Sequence, residues 1–66
     1  MDRKESAIII EALPSLKFRV QFQDDRIMIA YLSGRLHKNF IRVLIGDRVE
    51  VTIPPYGNIG RITKRF

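Results

Sequence analysis

From Lys17 to Gln23 the chain alternates without a break. Phe18, Val20 and Phe22 point one way, and Lys17, Arg19, Gln21 and Gln23 point the other. Successive side chains of an extended strand face opposite sides, so this period of two predicts a half-buried antiparallel strand with one wet face. A chain of 66 residues built from such strands has few ways to protect its sheet edges, and closure into a small barrel is the most complete of them. The core of so short a chain is thin. With no cysteine and a single histidine, neither a disulfide framework nor a zinc site reinforces it. Stability therefore rests on apolar packing, for which 45% hydrophobic residues are available, and on any bound partner.

The remaining elements follow in order. Ala7 to Ile10, between Glu5 and Glu11, is a β-branched run that reads as a short buried strand ended by Pro14-Ser15. Asp24-Asp25 predicts a turn, and Ile27 to Leu32 a third strand apolar enough to be covered along most of its length. From Ser33 the period lengthens: Leu36, Phe40 and Val43 or Leu44 recur at three and four, the spacing of one or two helical turns with Ser33 as N-cap. Gly46-Asp47 closes that segment. Arg48 to Ile53 resumes alternation with Val49, Val51 and Ile53 inward, Pro54-Pro55 stops it, and after the loop from Tyr56 to Gly60 a last strand runs from Arg61 to Arg65. In that strand Arg61, Thr63 and Arg65 are expected on one face, and Ile62 and Lys64 on the other. Five short strands with a small helix between the third and fourth is the element order of an all-β OB-fold, a five-stranded Greek-key barrel. A single S1-like OB-fold domain over residues 1–66 is expected, with an SH3-like barrel second.

Charge is divided unevenly along this frame. Residues 1–32 hold Arg3, Lys4, Lys17, Arg19 and Arg26 against Asp2, Glu5, Glu11, Asp24 and Asp25, which cancel. Residues 33–66 hold Arg35, Lys38, Arg42, Arg48, Arg61, Lys64 and Arg65 against Asp47 and Glu50, so the whole excess of +5 lies there. A polyanion is the leading partner class. A membrane surface is disfavoured, because no long amphipathic helix with a basic face is present. No run reaches the ~20 apolar residues of a spanning helix, and the first residues lack the apolar core of a signal peptide, so a soluble protein is expected. Catalysis is expected to be absent. Asp24 and Asp25 sit in a turn without a third metal-binding partner, no glycine-rich phosphate loop occurs, and no cofactor or metal site can be assembled from the residue types available.

The fragments Glu11-Ala12-Leu13-Pro14, Phe18-Arg19-Val20, Ser33-Gly34-Arg35, Lys38-Asn39-Phe40-Ile41-Arg42, Gly46-Asp47-Arg48-Val49, Pro55-Tyr56 and Gly60-Arg61-Ile62 occur in one register. In that order and spacing, the chain resembles bacterial and plastid translation initiation factor one, with a loop one residue shorter after Tyr56. The resemblance implies an OB-fold that binds the small ribosomal subunit at the decoding site, in contact with ribosomal RNA and a neighbouring ribosomal protein. It also implies that the protein blocks premature tRNA entry there, and acts with initiation factors two and three to place initiator tRNA in the peptidyl site. A monomer in the bacterial cytoplasm or plastid stroma is expected. The chain departs from the family pattern at Ala7, where glycine is usual, and at Asp24-Asp25, where Asn-Gly is. It also has Tyr31 in place of histidine, His37 in place of arginine and Lys64 in place of an aromatic residue.

On that reading Arg35, Lys38 and Arg42 form the main RNA contact, since arginine and lysine neutralise phosphates and a guanidinium also stacks or grips two oxygens. Asn39 donates to sugar or base edges, Arg61 and Arg65 extend the patch, and His37 adds less than a full charge near neutral pH. Leu36, Phe40 and Ile41 anchor the turn from within. Each assignment has a plainer rival: Arg42 pairing with Asp47 or Glu50, Asn39 capping the helix, and Tyr56 packing on the barrel end instead of stacking on a base. For Arg19 and Tyr31 an ordinary surface role is preferred to ribosome contact. Two other functions stand beside the initiation factor. A general single-strand RNA-binding module of cold-shock type requires exposed aromatics on the second and third strands. A protein-interaction module would instead bind an acidic partner.

Overall fold

The computed structural model of the chain describes residues 2–38 and 42–66, apart from the side chains of His37 and Lys38. Among these residues five strands close into one barrel: β1 (Arg3–Leu13), β2 (Lys17–Phe22), β3 (Ile27–Leu32), β4 (Arg48–Ile53) and β5 (Ile59–Arg65). A short helix, α1 (Gly34–Lys38), lies between β3 and β4. Around the barrel the order is β1-β2-β3-β5-β4, and β4 returns to pair with β1. All neighbours are antiparallel except β3 and β5. This is the expected OB-fold.

Closure depends on β1, which is far longer than the apolar run from Ala7 to Ile10 predicts. Its first part pairs with β4, from Arg3 opposite Ile53 to Ile8 opposite Arg48, and its second part pairs with β2, from Ala7 opposite Phe22 to Leu13 opposite Lys17. The register shifts between Ile9 and Glu11, and such a bulge bends a strand so that one strand can serve two sides of a small barrel. The charged ends of β1 resemble loop in the sequence because what makes them strand is backbone pairing to distant neighbours. The run is also not buried throughout. Ala7 and Ile9 face the core, whereas Ile8 points outward.

The interior is what the alternations predict. Phe18, Val20 and Phe22 of β2 and Val49, Val51 and Ile53 of β4 are buried, and they meet Ile62 of β5 and Ala30 of β3. β3 departs from expectation. Ala30 is buried and Met28 and Leu32 pack against the core, but Ile27 and Tyr31 are exposed and Ile29 is only partly covered. A barrel covers one face of each strand, and nothing among the described residues lies over the other face of β3.

Ser33 caps α1, its Oγ accepting a hydrogen bond from the Leu36 N–H at 3.3 Å, and Leu36 is buried in the core. Arg42, Val43 and Leu44 are not helical; Val43 is buried and Leu44 exposed, so the spacing from Leu36 reports packing at this point and not a helix running through to Val43. Phe40 and Ile41, expected as anchors, lie outside the described residues. Beyond them Asp47 organises the approach to β4. Its carboxylate accepts from the Leu44 N–H at 2.8 Å, and its carbonyl accepts from the Ile9 N–H at 3.0 Å. At the predicted turn, Asp25 takes the left-handed conformation (φ 68°) that asparagine, aspartate and glycine adopt most readily.

β5 begins two residues before the expected Arg61, and its faces differ from simple alternation. Opposite β4 the register shifts between Glu50 and Val51: Ile62 stands across from Val51, but Lys64 stands across from Glu50 and Arg65 from Val49. Cross-strand partners share a face, so the bulge turns Lys64 outward with Arg61 and takes Arg65 off that face.

Candidate nucleic-acid interface

The barrel separates its cations into two populations. Arg3, Arg19 and Arg26 are engaged by carboxylates. Arg26 reaches Glu5 at 2.7 Å and Asp24 at 2.5 Å, Arg19 pairs with Glu11, and Arg3 lies 3.8 Å from Glu5. Arg26 also lies over the Phe22 ring, 5.0 Å from its centroid. Desolvation pushes the Asp24 carboxyl up, but the hydrogen bonds and charge of Arg26 outweigh it and hold the group below its usual range. Among the described residues, every cation paired with a carboxylate belongs to the half of the sequence whose charges cancel.

Among the described residues, no basic side chain of the second half forms an ion pair. Arg35 extends from α1 and is exposed, as are Arg42, Arg48, Arg61, Lys64 and Arg65. Arg42 does not take the alternative of pairing with Asp47, whose side chain instead receives the Leu44 N–H. Unpaired guanidinium groups keep their charge and hydrogen-bonding fork for an external anion.

Tyr56 is 99% exposed, so the alternative of packing on the barrel end is not taken. It stands on a tight turn in which the Gly57 N–H donates to the Pro54 carbonyl at 3.4 Å. Pro55 presets the backbone angle of that turn, and a Cβ at residue 57 would come within 2.5 Å of Pro54 Cγ, so only glycine fits without displacement. The result is an aromatic ring offered to solvent on a stiff support.

Arg61 lies mid-barrel, with Thr52 of β4 on one side and Tyr31 of β3 on the other. Lys4 follows beyond Thr52 and Lys17 beyond Tyr31, so one row of side chains crosses all five strands: Lys4, Thr52, Arg61, Tyr31 and Lys17. Arg65 is placed differently. Its Nη1 donates to the Arg42 carbonyl at 2.7 Å, which ties the end of β5 to the segment at Arg42. The side chain is nonetheless exposed, off the outer face on which the sequence alternation put it beside Arg61. Asn39 lies outside the described residues, and for His37 and Lys38 the structure places the backbone, within α1, but not the side chains.

Two members of the basic surface escape the sequence reading. Lys64 is hidden by the bulge, which no local pattern announces. Lys4 is hidden by its neighbour Glu5, which cancels it on paper but in the fold turns to Arg3 and Arg26. The alternating strand gives the one available signal for Lys4, since it falls out of phase with the inward Ala7 and Ile9.

The outer face of β2 and β3 does not carry a run of aromatics. Phe18 and Phe22 are inside, and Tyr31 is the one exposed aromatic there, beside Ile27 and Ile29.

No protein-family model matches the chain. Among solved structures it is similar to the solution structure of translation initiation factor one from the Wolbachia endosymbiont strain TRS of Brugia malayi, with 31% identity and a TM-score of 0.84, over 98% of this chain and 78% of that one. It is also similar to YjeQ from Thermotoga maritima, with a TM-score of 0.81 and 22% identity, over 97% of this chain but only 23% of that one. The second likeness is one of fold.

Proposed function

The chain belongs to the translation initiation factor one family, and from that premise we propose that it binds the small ribosomal subunit at the decoding site and covers the aminoacyl site before tRNA arrives. In this role it acts as a monomer beside initiation factors two and three, which direct initiator tRNA to the peptidyl site. It does no chemistry of its own. The observation that supports this reading best is the division of cations among the described residues: Arg3, Arg19 and Arg26 are paired with carboxylates, while Arg35 of α1, Arg42, and Arg61, Lys64 and Arg65 of β5 are not. Structured RNA is recognised by shape, by its phosphates and by bases splayed out for stacking. Exposed, unpaired cations suit the phosphates, and the exposed Tyr56 suits a splayed-out base.

The cold-shock alternative draws no support from the barrel, because the face on which it would stack successive bases carries polar side chains of β2, Ile27 and Ile29, and a single exposed aromatic, Tyr31. Binding to isolated small subunits, intact ribosomes and an unstructured RNA oligonucleotide tests the choice. Tight binding to small subunits with much weaker binding to the oligonucleotide is expected. Equal affinity for the oligonucleotide would replace the proposal with a general single-strand binder, and no RNA binding at all would leave the protein-interaction reading. A footprint on the small subunit's RNA then locates the site.

A further inference from the structure

Between β1, β4, β5 and the start of α1 lies a groove of about 610 Å³, and Thr52 lines it. Thr52 is only 5% exposed, and its Oγ1 is buried with no hydrogen-bond partner among the described residues. A buried hydroxyl left unpaired costs stability, so its presence in a groove calls for a partner from outside. Four cations surround it: Lys4 and Arg61 as its cross-strand neighbours, with Arg35 and Lys64 on the groove walls. None of them is in an ion pair among the described residues, although Lys64 also lies over the Phe66 ring, 5.4 Å from its centroid. Two carboxylates, Asp2 and Glu50, complete the charged lining, and no large apolar side chain contributes.

We infer that this groove holds a segment of RNA sugar–phosphate backbone, with Thr52 Oγ1 as its central hydrogen-bonding group. This rests on the reading of the chain as a binder of ribosomal RNA and adds Thr52, Lys4 and Lys64 to the contact already expected of Arg35 and Arg61. A peptide would need apolar anchors that the lining lacks. A phosphate accepts from the threonine hydroxyl and from the four cationic side chains. Glu50 and Asp2 repel a bare phosphate but accept a hydrogen bond from a ribose 2′-hydroxyl, the group that marks RNA. The hydroxyl is covered in the free protein. Long side chains such as Lys4 and Arg61 change rotamer quickly, and as they swing onto the phosphate the hydroxyl becomes accessible.

The decisive variants are Thr52→Val, which keeps the β-branched shape and removes the hydroxyl, and Thr52→Ser, which keeps the hydroxyl. Thr52→Val should bind isolated small subunits about tenfold more weakly, as the loss of a hydrogen bond to a charged group implies. Its salt slope and thermal midpoint should match the parent's or, for the midpoint, exceed it. Thr52→Ser should bind nearly as the parent. Equal binding by Thr52→Val and the parent, or equal loss in both variants, overturns the inference while leaving the proposed function intact. If the parent itself does not bind small subunits, the proposed function fails, and titration with inorganic phosphate followed by amide NMR still tests the groove. Saturating shifts confined to Lys4, Arg35, Thr52, Arg61 and Lys64, and lost in Thr52→Val, support it; shifts that are absent or scattered over the surface refute it.

Discussion

Tyr56 shows how much one residue's setting matters. An exposed tyrosine contributes nothing to the core, and its turn is held by the Gly57 to Pro54 hydrogen bond and by two prolines that do not depend on the ring. Replacing it with alanine should therefore leave the thermal transition where it is. Base stacking on an aromatic is worth about 1–3 kcal/mol, so Tyr56→Ala should weaken small-subunit binding by an amount in that range. A melting curve and a binding isotherm on the same preparation check both halves, and an unchanged isotherm would remove Tyr56 from the interface. Arg42 and Arg65 make a complementary case. They look equivalent in the sequence and both are exposed, yet only Arg65 also holds the other's backbone carbonyl.

At the scale of elements, β5 decides where the basic surface can be. It is the strand that pairs in parallel with β3 and antiparallel with β4, and it can do so closely because residue 60 has no side chain. A Cβ there would come within 2.5 Å of Val51 Cγ1 and 3.2 Å of Met28 Sδ. Val51 is fully buried, so little room exists to relieve the clash. Gly60→Ala should consequently destabilise the barrel by about 1–3 kcal/mol, the usual cost of overpacking a core, and denaturant unfolding should show a lower midpoint with an unchanged slope. An unchanged midpoint would mean that β4 and β5 are packed less closely than described. The bulge opposite Thr63 is the second decision made by this strand, since it exchanges Lys64 for Arg65 on the outer face.

For the whole molecule, the dominant quantity is unscreened positive charge. An interface made of unpaired arginines and lysines releases counterions when it meets phosphates, so affinity should fall linearly with the logarithm of salt concentration, by a slope of roughly 0.7–0.9 per phosphate neutralised. Arg42→Ala should reduce the magnitude of that slope by about one contact and leave the barrel folded, because the Arg42 side chain is exposed and the carbonyl that Arg65 holds is retained. A salt titration of small-subunit binding measures this. If the variant tracks the parent across the titration, Arg42 does not face the RNA. The same titration on Arg19, which is already paired with Glu11, should show a smaller change, because only charges without an internal partner are fully available to phosphate.

Local pattern alone determined which side of each regular strand turns inward. It also determined the capped start of α1 and the half of the chain in which the charge excess lies, because periodicity, capping and composition are properties of neighbouring residues. Tertiary structure decided the rest. The length of β1 depends on backbone pairing to two distant strands, the outward exposure of Ile27, Ile29 and Tyr31 on there being only one covered face, and the exchange of Lys64 for Arg65 on a register shift against β4. The separation of paired from unpaired cations was half legible in the same way. Counting could show that one half of the chain cancels, but only the closed barrel brings Arg26 to Glu5 and leaves Lys4, Arg61 and Lys64 around an unpaired hydroxyl. Contacts between residues far apart in sequence are created by closure, and no short stretch of the chain encodes them by itself.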